Sequence, residues 1–389
     1  MVTGPLASPD AGHARATFGR RELRFHPTLM PPLRVGLDYR CALLTHAGIA
    51  RSVRELVRAL AARDDVEVHL YGHSVARARC ADPIPERAHL HRWPLPSRAL
   101  PHLHRLGLGP EHFCGRVRIF HWTDYIYPPL VSAQGVVTVH DLAFAVDPVY
   151  HGERMSRELL ARCRDATTRA ALVVVPTQAT ARAAREHLAL PAAKVRVVPF
   201  GADHVPERDL GQGDEVLMLG TIEPRKNHAR VLAAWQLLPR PRPRLRVVGR
   251  VGWECDTVVQ ALIAAEQRGD LVWQREASDA EVRAALARAQ LLLYPSLLEG
   301  FGFPPLEAMR SGIPVLAGDT PALREVLDDG ALFCDPREPA AIADGIARAL
   351  ADHALRTRLR RSGRARAASL RWADAAAGYA AGYRELQPA

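Results

Sequence analysis

Short apolar runs of four to six residues recur along the chain, each bounded by Gly, Pro or Asp. Runs of that length between turn residues predict parallel strands buried on both faces. A first series falls at 33–39, 66–71, 117–121, 136–140, 172–176 and 195–199, with helical periodicity over 48–63 and 178–188. A second falls at 216–220, 244–249, 271–274, 291–294, 315–317 and 331–334, with helices over 227–238, 257–267 and 279–289. Two such series imply an α/β protein of two doubly wound sheets, each binding ligands at the carboxyl ends of its strands. The stretch 201–214, GADHVPERDLGQGD, is polar, glycine-bearing and without period, which places a domain boundary there. The expected organisation is a flexible leader over 1–31, a first domain over 32–205, a second over 206–365 and a closing segment over 366–389. The stretch 364–386, with Trp372 and Tyr379, reads as one long helix.

Composition narrows the class. At 389 residues the chain exceeds one ordinary core, and 48% hydrophobic with 24% charged residues describes a water-soluble fold. No apolar run is long enough for a membrane span, and the leader lacks the apolar core of a signal peptide. Six cysteines stand singly at 41, 80, 114, 163, 255 and 334, which argues against zinc and fits a reducing cytoplasm. The net charge of +10 invites anionic partners: nucleic acid, phosphorylated ligands or an anionic membrane surface. No helix-turn-helix, zinc-finger or RNP-type pattern supports nucleic acid, so none is expected.

Candidate chemistry concentrates in the second half. In PSLLEGFGFPPLEAMRSGIPVLAGD a strand passes through a glycine turn into a helix starting near Pro304 or Pro305. Gly300 and Gly302 would let backbone approach a ligand, and the helix N-terminus favours an anion. Glu299 at the loop mouth and Glu307 about one turn into the helix form a carboxylate pair that would accept hydrogen bonds from several hydroxyls. In LGTIEPRKNHARVLAAW, Gly220 ends a strand and Arg225–Lys226 precede a helix whose cap is read as Asn227. Two cations at that place suit a pyrophosphate. His140 ends the strand GVVTVH, where it can donate a hydrogen bond to a sugar hydroxyl, and Gly48 opens a helix after Thr45–His46–Ala47. Gly249 in VVGRVGWE would admit a nucleotide or ribose. Taken alone, each of these has a plain structural reading: a solvated carboxylate, a helix-start cation pair, a core histidine.

The combination closely resembles glycosyltransferase family 4, the retaining group 1 glycosyltransferases of GT-B fold. Glu299–Gly300–Phe301–Gly302 and Pro304–Pro305–Leu306–Glu307–Ala308–Met309 match its E-x(7)-E signature, and Gly220 to Asn227 match G-T-x-E-P-R-K-N. The resemblance spans roughly 33–385. It implies two Rossmann-like domains facing a cleft, the acceptor on the first and the nucleotide sugar on the second, with the last helix crossing back. It further implies Glu299, His140, Arg225 and Lys226 as catalytic residues. Donor binding would fall to Gly48, Gly220, Arg225, Lys226, Gly249, Gly300, Phe301, Gly302 and Glu307. The expected reaction moves a hexose, mannose as first guess, from a nucleoside diphosphate sugar to a glycan, lipid-linked or small-molecule hydroxyl. No cofactor and no essential metal are expected, because the Arg–Lys pair can neutralise the diphosphate. The chain departs from the family at Ala50, where a second glycine is usual, and at Gln274–Arg275–Glu276, which leaves the base open. A nucleotide-sugar epimerase of the same fold and a catalytically silent nucleotide binder are the alternatives.

Overall fold

A computed structural model of the protein describes residues 31–45, 48–75, 82–211 and 213–387, together with Met1 and Gly4. Apart from Met1, Gly4 and Pro31, the leader expected over 1–31 lies outside the described residues, as do His46 and Ala47. Residues 32–389 form one compact unit.

Two wholly parallel sheets organise that unit. The first holds β1 (Leu33–Asp38), β2 (Val66–His73), β3 (Ala88–Trp93), β4 (Ile119–Trp122), β5 (Gln134–Thr138), β6 (Leu172–Val175) and β7 (Val195–Val197), in the order β3-β2-β1-β4-β5-β6-β7. The second holds β8 (Glu215–Leu219), β9 (Arg244–Val248), β10 (Leu271–Gln274), β11 (Ala289–Tyr294), β12 (Val315–Gly318) and β13 (Leu332–Cys334), in the order β10-β9-β8-β11-β12-β13. Each sheet reverses its strand order once, between β1 and β4 and between β8 and β11. A doubly wound sheet opens its ligand crevice at that switch point. The LVVV of β6 is buried throughout, as a strand covered by helices on both faces must be.

Three expectations are corrected. β3, read AHLHRW, gave no apolar run because it is the edge strand and most of its side chains are at least partly exposed. β5 stops at Thr138, so His140 lies two residues past the ladder. The single helix over 364–386 is two, His353–Ser369 and Trp372–Glu385. The break is stitched to the boundary segment: the Ala202 amide donates to the Leu370 carbonyl (2.8 Å) and the Trp372 amide to Asp203 Oδ1 (2.8 Å). A side chain at Gly201 would meet the Trp372 nitrogen at 2.2 Å, so the two segments close on each other directly.

The last helix does cross back. Tyr383 Oη lies 2.7 Å from His121 Nδ1, and Tyr379 Oη lies 3.0 Å from Thr138 Oγ1, both beneath the first sheet. At the base of the cleft Phe200, Phe301, Phe303 and Trp372 pack ring on ring at centroid separations of 5.3–6.2 Å. Aromatic packing at such distances joins the end of the first domain, the loop after β11 and the last helix into one apolar floor.

Candidate functional site

A cleft of about 490 Å³ opens between the carboxyl ends of the two sheets. Its first-domain wall carries Cys41, Thr45, Gly48, Asp124, Tyr125 and His140. Its second-domain wall carries Gly220, Glu223, Arg225, Lys226, Tyr294 and Glu299.

The second wall is built around the turn Pro224–Lys226, which follows the β8 loop. Asn227 ends this turn in the left-handed region (φ 67°), a conformation that asparagine tolerates better than most residues. It stands at the cap position of the helix His228–Leu237 but makes no capping bond. Its amide nitrogen instead donates to the carbonyls of Pro295 (2.9 Å) and Pro336 (2.6 Å). Asn227 is therefore a clamp that fixes the cation pair against the ends of β11 and β13. Asn227→Ala strands two buried carbonyls and is expected to cost about 2 kcal/mol, read as a lowered denaturant midpoint; an unchanged midpoint would refute the clamp.

Behind that clamp, four charges share one buried patch. Arg225 donates to Glu299 Oε2 (2.8 Å) and pairs with Glu223 (2.8 Å). Lys226 Nζ donates to Glu299 Oε1 (2.5 Å) and to Tyr294 Oη (2.6 Å). Two cations and two carboxylates leave the patch formally neutral, so the pair read as suiting a pyrophosphate is already committed to Glu299 and Glu223. Donor capacity remains, because an ammonium has three N–H groups and a guanidinium five. Burial pushes the Glu299 carboxyl up, but Lys226 and then Arg225 outweigh it and hold it at about 2. Burial works against the Arg225 charge too, yet Glu299 and Glu223 keep it ionised well above its ordinary range.

A depressed carboxylate contributes stability above its unfolded pKa and loses it as pH falls through the folded one. For Glu299 that contribution is complete above the ordinary 4.5 and disappears towards about 2. The stability gap between wild type and Glu299→Gln is therefore expected to stay level from neutrality to the ordinary carboxylate pKa and to shrink below it. Denaturant midpoints across that range test this, and a gap that closes near neutral pH would refute it.

Glu307 lies elsewhere. Gly302, with φ of 103°, turns the chain into the helix Phe303–Arg310, which carries Glu307 inward. There it is ion-paired to Arg51 of the helix Gly48–Ala61 and lies 3.4 Å from His204 Nε2. It is not among the residues lining the cleft. The expected convergence of the two glutamates is corrected accordingly: they stand eight positions apart in one signature but share no partner.

The remaining candidates divide. His140 lines the cleft, and its Nε2 donates to the Thr123 carbonyl (2.8 Å). Burial lowers its pKa, so the ring is neutral and offers Nδ1 as an acceptor. The expectation that it donates to a sugar hydroxyl is thereby reversed. Gly220 lines the cleft with a φ of 149°. Gly48 begins its helix with open space where a Cβ would stand. Gly300 is a glycine for another reason: a Cβ there would sit 1.8 Å from the His140 carbonyl. The Gly300 carbonyl in turn accepts from Thr177 Oγ1 (3.1 Å), so the two domains touch at this loop. Gly249 does not line the cleft, and a Cβ on it would strike the Gly220 carbonyl at 1.8 Å. Phe301 is buried in the aromatic floor.

Sequence reasoning passed over Glu223, Tyr294, Arg51, His204 and Trp253. Trp253 spans the cleft mouth, stacking on His151 (centroids 5.2 Å apart) and donating to the Tyr150 carbonyl (2.7 Å). Only Glu223 had a local signal, its place two residues before Arg225.

Two family profiles match the chain. One described as glycosyl transferases group 1 covers residues 205–366, and one described as glycosyltransferase family 4 covers residues 46–205. The O-antigen chain mannosyltransferase B of Escherichia coli is 28% identical over 361 residues, 84% of this chain and 92% of that protein. The D-inositol 3-phosphate glycosyltransferase of Frankia alni is 35% identical over 46% of this chain and 47% of that protein. Among solved structures, sucrose-phosphate synthase of Thermosynechococcus elongatus superposes with a TM-score of 0.71 at 20% identity, covering 91% of this chain and 99% of that one. Anabaena HepE in complex with UDP-glucose gives 0.70 at 18% identity, covering 91% and 100%.

Proposed function

Since the chain belongs to glycosyltransferase family 4, the group 1 glycosyltransferases, and has the GT-B fold, we propose that it transfers a hexose from a nucleoside diphosphate sugar with retention at the anomeric carbon. The acceptor is a hydroxyl of a glycan, a lipid-linked saccharide or a small molecule. Mannose is the first choice of sugar, supported by the mannosyltransferases of O-antigen assembly among the relatives. The observation that carries this reading is Glu299 gripped by Arg225 and Lys226 in a buried patch at the second sheet's switch point.

In this reading the diphosphate enters beside Arg225 and Lys226 and takes up their remaining N–H groups. Charge that builds on the leaving phosphate meets donors already in place, where water is excluded and electrostatics are strong. Glu299 is a poor nucleophile, because two cations stabilise its anion. Its part is to accept hydrogen bonds from donor hydroxyls, with His140 Nδ1 as a second acceptor across the cleft. Transfer then proceeds on one face: the bond from the anomeric carbon to phosphate oxygen breaks as the acceptor oxygen bonds to that carbon. The acceptor proton passes to the departing phosphate. Orientation and phosphate electrostatics supply the rate. Gly48 at its helix start and Gly220 border the diphosphate, while Glu307 takes the ribose once Arg51 yields it.

The experiment is nucleoside diphosphate release from UDP-, GDP-, ADP- and dTDP-sugars, with and without a chelator. One donor is expected to be hydrolysed slowly, equally well with chelator, and not at all by Arg225→Ala/Lys226→Ala. Loss of turnover on chelation would show that the cation pair does not replace a metal. Turnover surviving in the double variant would sink the assignment.

A further inference from the structure

The cleft's three cations among the described residues, Arg225, Lys226 and Arg250, all stand on its second-domain wall. Arg225 and Lys226 are committed to Glu299 and Glu223. Arg250 stands beside the β8 loop, where its carbonyl accepts the Ile222 amide (2.9 Å). The first-domain wall contributes two charged side chains among the described residues, Asp124 and Asp141, and both are acids. The donor chemistry described above uses neither.

Asp124 is fixed from behind. It is 8% exposed, its Oδ1 accepts the Ile126 amide (2.8 Å) and its Oδ2 is ion-paired to Arg40. Arg40 does not itself line the cleft. Its amide donates to Oδ1 of Asp38 (3.0 Å), the last residue of β1, and the Asp38 carbonyl accepts from Thr123 Oγ1 (2.5 Å). The Thr123 carbonyl receives His140 Nε2 (2.8 Å), so one chain of bonds sets Asp124 and His140 from the switch point of the first sheet. Burial works against the Arg40 charge, but Asp38 and Asp124 sustain it. Burial and then Asp124 push the Asp38 carboxyl up to about 7, so near neutrality it carries part of a charge. Arg40 therefore balances Asp124. Asp141, whose Oδ1 accepts the Ala143 amide (3.0 Å), forms no ion pair among the described residues and leaves the wall acidic.

Hydrogen bonding on this wall is as one-sided as its charge. An ionised carboxylate only accepts, with room for about four bonds, and Asp124 has filled only part of that room. Neutral His140 offers Nδ1, another acceptor. A sugar hydroxyl can donate to such groups. A phosphate brings further acceptors and negative charge, and an anion buried without donors or cations is strongly disfavoured. The amides at the start of the helix Gly48–Ala61 are the exception, and in the transfer reading they serve the donor's diphosphate.

We infer that the part of the acceptor inside the cleft is an uncharged saccharide, held by a hydroxyl other than the reacting one that donates to Asp124, and that acceptors bearing a phosphate there are rejected. Arg40 is the positioning residue that aims Asp124. The inference rests on the transfer reading and supplies what that reading leaves open, the charge of the acceptor.

Acceptor pairs that differ by one phosphate test it, with turnover of the donor found in the panel as the readout. The pairs are methyl α-D-mannopyranoside and its 6-phosphate, and a mannose-terminated oligosaccharide with and without a terminal phosphate. The neutral member is expected to have a kcat/KM at least about 100-fold higher. Asp124→Asn should raise the KM of the neutral member about 10-fold and narrow the preference by a similar factor. A general folding defect would lower both members alike and leave the preference intact. Arg40→Gln should raise the acceptor KM more than it lowers kcat, and Arg40→Lys should recover part of the loss. A phosphorylated member used within about threefold of its neutral partner overturns the inference. So does a preference that Asp124→Asn leaves unchanged. Phosphate-dependent turnover lost in Arg250→Ala would place the acceptor's phosphate on the second wall, which overturns it too. Slow donor hydrolysis that no neutral acceptor accelerates overturns it while leaving the transfer reading standing. Absence of donor hydrolysis as well strikes the transfer reading, and this inference with it.

Discussion

Lys226→Met is expected to lower kcat about 100- to 1,000-fold, the usual loss when one preorganised donor to a developing anion is removed. Methionine keeps the stem that lies under the Tyr294 ring, where Nζ now sits 4.6 Å from the ring centroid, and removes only the charge. Glu299 keeps Arg225 at 2.8 Å, so no buried carboxylate is left without a partner. Breaking a buried pair outright costs about 3–5 kcal/mol; retention of Arg225 holds the stability loss well below that. Steady-state turnover with the donor found in the panel reads the effect, alongside a melting curve. The loss belongs in kcat rather than KM, because the interaction strengthens as the phosphate leaves. A kcat within about threefold of wild type would show that Lys226 only packs.

Gly300→Ala is expected to cost about 100-fold in kcat, although no catalytic group is altered. The added methyl would lie 1.8 Å from the His140 carbonyl, so the loop carrying Glu299 and the segment after β5 carrying His140 must separate. A displacement of about 1 Å between reacting groups is enough for that loss. The same substitution distinguishes two roles for this glycine. If it served ligand approach, alanine would raise donor KM and leave the free protein's shape alone. If it serves contact between domains, the radius of gyration in solution rises before any ligand is added. The second outcome is expected, and an unchanged radius with a raised KM would refute it.

The two series of buried strands were legible because parallel strands covered on both faces must be apolar throughout, as in LVVV of β6 and the LLLY that ends β11. β3 escaped because an edge strand escapes that rule, and HLHRW can face water. The cation pair and Glu299 were legible as residue types. Their mutual neutralisation was not, because it joins positions more than seventy residues apart. Arg51 and His204 stood out in no local pattern, and only the folded chain sets them on Glu307. Glycines were legible as positions where a side chain is excluded, but not as to what excludes it. At Gly249 and Gly300 the obstacle is the protein's own carbonyl oxygen. The break at Leu370–Arg371 lay hidden because its cause, Asp203 and Ala202, sits about 170 residues upstream.

The helix Trp372–Glu385, lodged under the first sheet through Tyr379 and Tyr383, also bears on biosynthesis. It leaves the ribosome roughly 310 residues after the helix Gly48–Ala61 that it covers, a delay of about 15–60 s at ordinary elongation rates. Once β7 has emerged, the nascent first half has every strand of its sheet but lacks its final cover until Trp372–Glu385 arrives, with Val198, Leu172 and His121 awaiting their partners. Its packing is thus completed late even though its own sequence emerges early. A chain stalled or cut before Trp372 leaves Tyr379 and Tyr383 off the first sheet, so that sheet is expected to stay incompletely packed.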